Sequence, residues 1–142
     1  MGNDMSEMKA WNDQIIDEFR SNGGQLGGNF EGAPVLLLHT IGAKSGLERI
    51  NPMMFQDLGD DRVAVFASKA GADSHPDWYR NLVANPGVSA EIGTQTKSFV
   101  ARTATVEERE PIWTKQKADY PGFAGYEAST SRLIPVVILD PA

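Results

Sequence analysis

The hydrophobic and polar positions near the start of the chain follow the period of a helix. Apolar side chains recur every three or four residues and form one stripe, made of Met8, Trp11, Ile15, Ile16 and Phe19. The pattern predicts a helix over residues 6–20, ended by the glycine-rich segment SNGGQLGG. We interpret the stripe as a face that packs on the protein core. Contact with a membrane surface and coverage of a substrate channel are the alternatives.

Extended patterns follow this helix. APVLLLHTI is a continuous apolar run that fits a buried strand, and LERINPMMFQDL and RVAVFAS come after the short turns GAKSG and GDD. Parallel neighbours need a crossover of about a dozen residues, so these short turns predict an antiparallel meander.

The second half of the chain alternates helical and extended patterns. DSHPDWYRNLVANPG predicts a helix capped by Ser74 or His75, with Pro76 at its first position. VEEREPIWTKQKADY predicts another helix, with Thr105 as cap and glutamates that favour its start. Between and after these helices lie the strands VSAEIG and KSFVARTAT, joined at Gly93-Thr94, then a loop over residues 120–126 and a last strand, IPVVILD.

About six mostly antiparallel strands with two or three helices predict an α+β fold. Open strand edges are a liability, and closure into a small barrel with helices packed outside removes them. We divide the chain into an N-terminal helix and glycine-rich connector, residues 1–30, and a barrel, residues 31–142.

Composition narrows the function classes. The 142 residues are 41% hydrophobic and 23% charged, with a formal net charge of -6 and no cysteine. An acidic chain repels nucleic acid, and the lack of cysteine excludes disulfides and thiolate chemistry. The chain start lacks the basic and apolar pattern of a secretory signal, which predicts a cytoplasmic protein, with peripheral contact at the inner membrane face as the alternative.

The turn GAKSG, followed by Arg49, is the first candidate site. A nucleotide P-loop would place its lysine after the second glycine and would open a helix, and neither holds here. The turn amides, the Ser45 hydroxyl and the cations Lys44 and Arg49 could instead form a nest for a small phosphate. An ordinary hairpin turn is the alternative.

Ser68-Lys69, at the end of a strand and before a helix, is the second candidate. Its backbone amides could face an anion or a flat heteroaromatic ring, and a simple strand-to-helix connection is the alternative. His39 is interpreted as a packed or rim residue. Two histidines without cysteine do not predict a zinc site, although a carboxylate-rich metal site stays open. No motif pairs a nucleophile with a base, so a bound cofactor would supply any chemistry.

Four segments in order, TIGAKSGLERINPMMF, VAVFASKAGADSHPDWYRNL, ANPGV and YPGFAGYEASTSRLIPVVIL, resemble the deazaflavin-dependent nitroreductase family of actinobacteria. The resemblance covers the chain from about residue 10 to its end. It implies a split β-barrel that binds the deazaflavin coenzyme F-420. The implied reaction is hydride transfer from the reduced cofactor to an electron-poor acceptor such as a quinone or an activated enone.

The resemblance also implies which residues form the site. Those expected to hold the cofactor, with Lys44, Ser45 and Arg49 on its phosphate, are Ala43, Lys44, Ser45, Gly46, Arg49, Asn51, Pro52, Met53, Met54, Ala67, Ser68, Lys69, Trp78, Tyr79 and Asn81. Pro52, Met53 and Met54 would lie along the ring, and residues 67–69 would present amides to its edge. Tyr120, Tyr126 and Ser68 are the candidate hydrogen-bond donors to the acceptor, and Phe123 joins the two tyrosines in the acceptor pocket.

The chain departs from the family pattern at two positions. Phe123 stands where a tyrosine is expected and supplies no hydroxyl, so reduction of nitro compounds is not carried over. Met54 replaces an aromatic residue with a softer contact. The alternatives to a reductase are a non-enzymatic carrier of deazaflavin or an amphiphile, and a split barrel that binds FMN or haem.

Overall fold

A computed structural model describes the backbone of residues 4–142 and the side chains of residues 10–142 other than Asn29. This part of the chain contains four α-helices and six strands. The helices are α1 (Asp4–Ser21), α2 (Asp77–Ala84), α3 (Val106–Asp119) and α4 (Gly122–Ala128). The strands are β1 (Val35–Ile41), β2 (Glu48–Gly59), β3 (Arg62–Phe66), β4 (Gly87–Ile92), β5 (Gln95–Thr103) and β6 (Val136–Pro141).

The six strands close into an antiparallel barrel in the order β1-β2-β3-β6-β5-β4. The barrel closes where β1 pairs with β4, with Leu38 opposite Ala90. Tight turns join the hairpins: Gly93 has φ 60° between β4 and β5, and Asp60 and Asp61 have φ 56° and 62° between β2 and β3. The predicted barrel and its antiparallel meander are confirmed.

Strand β1 is buried on both faces, which explains its unbroken apolar sequence. Leu36 and Leu38 pack in the barrel interior, whereas Val35 and Leu37 face outward against Phe19 of α1. Side chains of a strand alternate between its two faces, and here each face has a separate layer to contact.

Helix α1 covers the outside of β1 and β2. Ile16 and Phe19 are 8% and 1% exposed, so the predicted packing of the apolar stripe on the core is confirmed for these residues. Trp11 is half exposed and rests on Phe30, with ring centroids 6.0 Å apart. Met8 lies outside the side chains that the structure describes. The division of the chain at residue 30 stays a prediction.

An ion-pair cluster attaches the end of α1 to the barrel. Arg20 Nε and Nη2 donate to the two carboxylate oxygens of Glu91 on β4, at 3.0 and 2.7 Å. His39 Nε2 lies 2.6 Å from the same carboxylate, which makes His39 a rim residue as predicted. The Arg20 contact, helped by His39, holds the pKa of Glu91 below its ordinary value.

Helices α3 and α4 cover the outside of β3 and β6. Trp113 of α3 and Phe123 of α4 pack against Phe66 and Val136. Helix α3 starts with a capping box, in which Thr105 and Glu108 each accept the other's backbone N–H. The predicted cap is therefore confirmed.

Two local predictions were wrong. The segment predicted as a loop contains α4, because burial of Phe123 offsets the weak helix propensity of its two glycines. Helix α2 begins at Asp77 with Pro76 as its N-cap residue, so neither Ser74 nor His75 caps it. Across the described residues, no helix has the length and apolar character needed to span a membrane.

Candidate functional site

The glycine turn, residues 42–47, connects β1 to β2. Gly42 N–H donates to Leu47 O at 2.8 Å, and Gly46, with φ 69°, donates to Gly42 O at 3.0 Å. The Ser45 hydroxyl accepts the Leu47 N–H at 3.2 Å and folds over Gly42, where a Cβ would lie 2.3 Å from its Oγ. Ser45 therefore helps to close the turn and keeps its own proton for another acceptor.

Two exposed cations flank this turn. Lys44 lies in it, and Arg49 pairs with Thr40 on the first rungs of the β1–β2 ladder. Neither forms an ion pair with any carboxylate in the described part of the chain. Two free cations beside a turn are unusual in a protein of this negative charge, and their convergence on one anion stays a prediction.

Helix α2 holds the glycine turn through Asn81, which is 8% exposed. Its Oδ1 accepts the Ala43 N–H at 3.0 Å, and its Nδ2 donates to Thr40 Oγ1 at 3.2 Å. The side chain predicted to contact a cofactor is thus engaged inside the protein. Trp78 and Tyr79, from the same helix, pack against the interior cluster of the barrel.

Strand β2 turns its predicted site residues to opposite faces. Asn51 and Met53 lie opposite Leu38 and Leu36, on the face of the barrel interior, and Met53 packs there. Met54 packs outside, between α1 and the helices α3 and α4. Met53 and Met54 lie on opposite faces because adjacent side chains of a strand alternate, and their joint contact with one ring stays a prediction. Pro52 and Met54 share the outer face.

The segment after β3 has an uncommon backbone conformation. Lys69 and Ala70 have φ values of 46° and 53°, in a left-handed region that residues with a Cβ seldom adopt. Ser68 is 8% exposed, and within the described residues the amides of Ser68 and Lys69 have no acceptor. Ala67 N–H donates to Pro135 O at 3.0 Å, so the expectation that Ala67 presents a free amide was wrong.

Aromatic side chains from β3, α3, α4 and the turn between the two helices form the outer aromatic cluster. Its members, with Met54 of β2 packed against them, are Phe66, Trp113, Tyr120, Phe123 and Tyr126. Phe123 lies at the centre, with ring centroids 5.6 Å from Phe66 and 5.3 Å from Tyr126. The hydroxyls of Tyr120 and Tyr126 make no hydrogen bond to a described residue, so both can donate to a ligand.

Arg132 is the residue that sequence reasoning missed. Its guanidinium lies against the segment after β3 and hydrogen-bonds to several of its carbonyls. The only signal in the sequence is a single arginine just before the apolar strand β6, which does not identify a partner more than 60 positions earlier.

A groove of about 820 Å³ lies away from these residues, along the connector between α1 and β1. Three glycines contribute to its lining, and among the described lining residues Glu31 alone is ionisable. Its position brings together none of the predicted site residues, and its lining lacks a proton donor set for catalysis.

Comparison with known proteins gives a consistent assignment. A family model described as F-420H(2)-dependent quinone reductase matches residues 11–141. The F-420H(2)-dependent quinone reductase Rv1261c of Mycobacterium tuberculosis is 35% identical over 127 residues, which cover 85% of this chain and 83% of that protein.

Two solved structures share the fold. One, named F-420-H2 Dependent Reductase (FDR-A), is 42% identical, covers 75% of this chain and 94% of its own, and has a TM-score of 0.68. Another, described as a domain-swapped dimer, is 35% identical, covers 95% and 98%, and has a TM-score of 0.70. The predicted resemblance is confirmed, and the chain belongs to the F-420H(2)-dependent quinone reductase family.

Proposed function

We propose that this protein transfers a hydride from reduced coenzyme F-420 to a quinone. The observation that carries the proposal is the course of β2, which runs from the glycine turn to the outer aromatic cluster. Arg49 and Met54 are five residues apart, about 16 Å at the rise of an extended strand. Their side chains leave opposite faces of β2, so a cofactor that contacts both would lie along the edge of residues 48–54 that is not paired with β1. A free cation at one end and an apolar, hydroxyl-bearing surface at the other suit a cofactor with a ring and a phosphodiester.

The residues present fit such a cofactor. Lys44, Arg49 and the Ser45 hydroxyl would hold its phosphate, since none of these groups is neutralised by a carboxylate among the described residues. Pro52 and Met54 would contact the ring from β2, and the amides of Ser68 and Lys69 would bind its polar edge.

The acceptor would lie against the outer aromatic cluster. Coenzyme F-420, when bound in reduced form, supplies the hydride. Tyr120, Tyr126 or Ser68 would donate a hydrogen bond to the quinone oxygen that gains negative charge. A hydride and one proton together reduce the quinone to the hydroquinone, and the buried aromatic surface keeps water from the reacting atoms.

Reduced cofactor would come from a separate F-420-reducing enzyme, because the proposed reaction oxidises one F-420H(2) for each quinone that is reduced. We place the protein in the cytoplasm. Ile16 and Phe19 of helix α1 are buried against the barrel, and this burial supports a core-facing role over contact with a membrane surface. Trp11 is half exposed.

Turnover distinguishes this reductase from the carrier alternative. Purified protein is mixed with reduced F-420 and a soluble quinone, and oxidation of the cofactor is followed by its absorbance. The proposal expects oxidation at a rate proportional to enzyme, with one hydroquinone formed per cofactor. Tight binding without any oxidation would favour a carrier, and copurification of FMN or haem would favour the other split-barrel alternatives.

A further inference from the structure

The strained segment after β3 belongs to a longer loop, residues 67–76, which we call the β3–α2 loop. Lys69, Ala70 and Gly71 are three consecutive residues with positive φ, at 46°, 53° and 83°. Two of them carry a Cβ, so this conformation persists only where surrounding contacts fix it. The contacts come from the segment before β6.

Arg132 brackets the strained residues with its guanidinium. On the N-terminal side, Nη1 donates to Ala67 O at 3.1 Å and Nη2 to Ser68 O at 2.8 Å. On the C-terminal side, Nε donates to Ala72 O at 2.8 Å. Nη1 also lies 3.0 Å from His75 Nδ1, which accepts a hydrogen bond when the imidazole is neutral. One planar group thus joins the two ends of the loop.

Arg132 has no carboxylate partner among the described residues, as is also true of Arg109, which donates to Ile134 O. Arg20, Arg62 and Arg102 each face a carboxylate, whereas Arg132 donates to three carbonyls and an imidazole. Burial without a bound carboxylate lowers the pKa of Arg132 from its ordinary value. The guanidinium is therefore committed to the backbone of the loop instead of to a charge partner.

Neighbouring residues seat the loop on the end of α4. Thr130 Oγ1 donates to Asp73 Oδ1 at 2.9 Å and accepts the Arg132 N–H at 3.2 Å. A Cβ at Gly71 would lie 3.0 Å from both Ser129 Cβ and Tyr126 O, so only glycine allows this approach. Because α4 also carries Phe123, the loop and the outer aromatic cluster are fixed to one another.

We infer that Arg132 is a positioning residue that holds Ser68 and Lys69 in the conformation in which their amides bind the polar edge of the deazaflavin ring. The inference rests on the proposed function. Arg132 acts through the loop, since each hydrogen bond of its guanidinium to a described residue is to a loop atom. Lysine at this position keeps the charge but has one nitrogen, which cannot bond to carbonyls at both ends of the loop.

Hydrogen exchange of the cofactor-free protein tests the effect on the loop. The variants are Arg132→Lys and Arg132→Ala, and the control is Arg102→Ala, which loses contacts to Asp140 and Glu108 far from the loop in sequence. In Arg132→Lys, we expect exchange of the hydrogen-bonded loop amides of Gly71 and Ala72 to rise about tenfold, as loss of one or two hydrogen bonds predicts, with strand amides unchanged. Arg102→Ala should leave loop exchange as in the wild type.

The affinity for oxidised F-420 tests whether the loop conformation held by Arg132 matters for cofactor binding. We expect the Kd of Arg132→Lys to rise about tenfold and that of Arg102→Ala to stay within about twofold of wild type. Restoration by any residue other than arginine is not expected, so Arg132→Gln should behave as Arg132→Lys does.

Two results would overturn the inference. In the first, loop exchange and the Kd are unchanged in Arg132→Lys and Arg132→Ala. In the second, exchange accelerates equally in the strands, which would mean that Arg132 contributes to the stability of the whole fold. If Arg132→Ala does not fold, Arg132→Lys alone decides. Failure of the wild type to bind F-420 would overturn the proposed function and with it the inference about the cofactor. The exchange data would then still show whether Arg132 fixes the loop.

Discussion

Asn81 and Ala43 join two parts of the site that lie 38 positions apart in the chain: the Ala43 N–H donates to Asn81 Oδ1 at 3.0 Å. The contact ties helix α2 to the glycine turn, and Asn85 adds a second tie, from its Nδ2 to Ile41 O at 3.3 Å. A turn that must bind an anion gains affinity from being held in one conformation before the anion arrives.

Replacing Asn81 tests this tie. Asn81→Leu leaves the Ala43 N–H and the Thr40 hydroxyl without partners, and we expect a loss of about 1–3 kcal/mol in the free energy of unfolding. Asn81→Asp keeps the acceptor for Ala43 but loses the donor to Thr40 and adds a buried negative charge beside the turn, so its affinity for F-420 should also fall. Urea unfolding and a cofactor titration of both variants measure the difference. Equal affinity in Asn81→Leu and wild type would contradict the role of the tie.

The ion pair at the start of α3 makes the free energy of unfolding depend on pH in the acidic range. The hydrogen bond from Arg102, with the capping-box contacts of Thr105, lowers the pKa of Glu108 from 4.5 to about 2. The unfolded state therefore binds the proton first, and stability falls as the pH decreases from 4.5 towards 2. Glu108→Gln keeps an oxygen for the Thr105 N–H without the charge. The stability difference between wild type and Glu108→Gln should shrink over this range in urea unfolding, and a constant difference would count against the ion pair.

His75 should titrate below the ordinary range of histidine. Burial lowers its pKa from 6.5, and the nearby cations Arg132 and Arg80 lower it further. Its ring also packs on Tyr79, with centroids 4.9 Å apart. Because the folded state binds the proton less readily, stability is retained above pH 6.5 and decreases as the pH falls below it. NMR titration of the imidazole measures the pKa, with the variant Arg80→Ala expected to raise it; a wild-type pKa at or above 6.5 would refute this assignment.

The tyrosines of the outer aromatic cluster should act on turnover and not on cofactor affinity. Removal of a hydroxyl that donates to a developing oxyanion lowers kcat by about 100-fold or more in other enzymes. We expect such a loss in one of Tyr120→Phe, Tyr126→Phe and Ser68→Ala, with the Kd for F-420 unchanged in the tyrosine variants. Steady-state oxidation of reduced F-420 by a quinone identifies the donor. Full activity in all three variants would remove these side chains from the reaction.

The pattern of apolar residues predicted the architecture, because the helical stripe and the extended apolar run are both local features of the sequence. The helical stripe ending in Phe19 gave α1, and the unbroken apolar run around Leu37 gave a strand buried on two faces. Helix α4 was missed because its glycines weaken the local signal, and tertiary contacts stabilise it, among them those of Phe123 with Phe66 and Trp113. Those contacts join residues distant in sequence.

The site was predictable in its residue types and less so in its geometry. Strict alternation along β2 was already in the sequence and would have separated Met53 from Met54. The role of Arg132 could not be predicted, because its carbonyl acceptors lie 60 or more positions earlier and become neighbours only in the folded barrel. Long-range hydrogen bonds of this kind leave no periodic trace in a single sequence.

Titration of the protein with oxidised F-420, followed by quenching of tryptophan fluorescence, tests whether the glycine turn binds the phosphate of the cofactor. The variants are Lys44→Ala and Arg49→Ala, and the control is Lys115→Ala, an exposed cation on α3 that pairs with Asp119. The account predicts that each of the first two variants weakens binding about tenfold or more, as loss of a charge-assisted contact to phosphate implies, and that the control binds as wild type. Binding that is indifferent to both Lys44 and Arg49 would show that the glycine turn is an ordinary hairpin and would contradict the account.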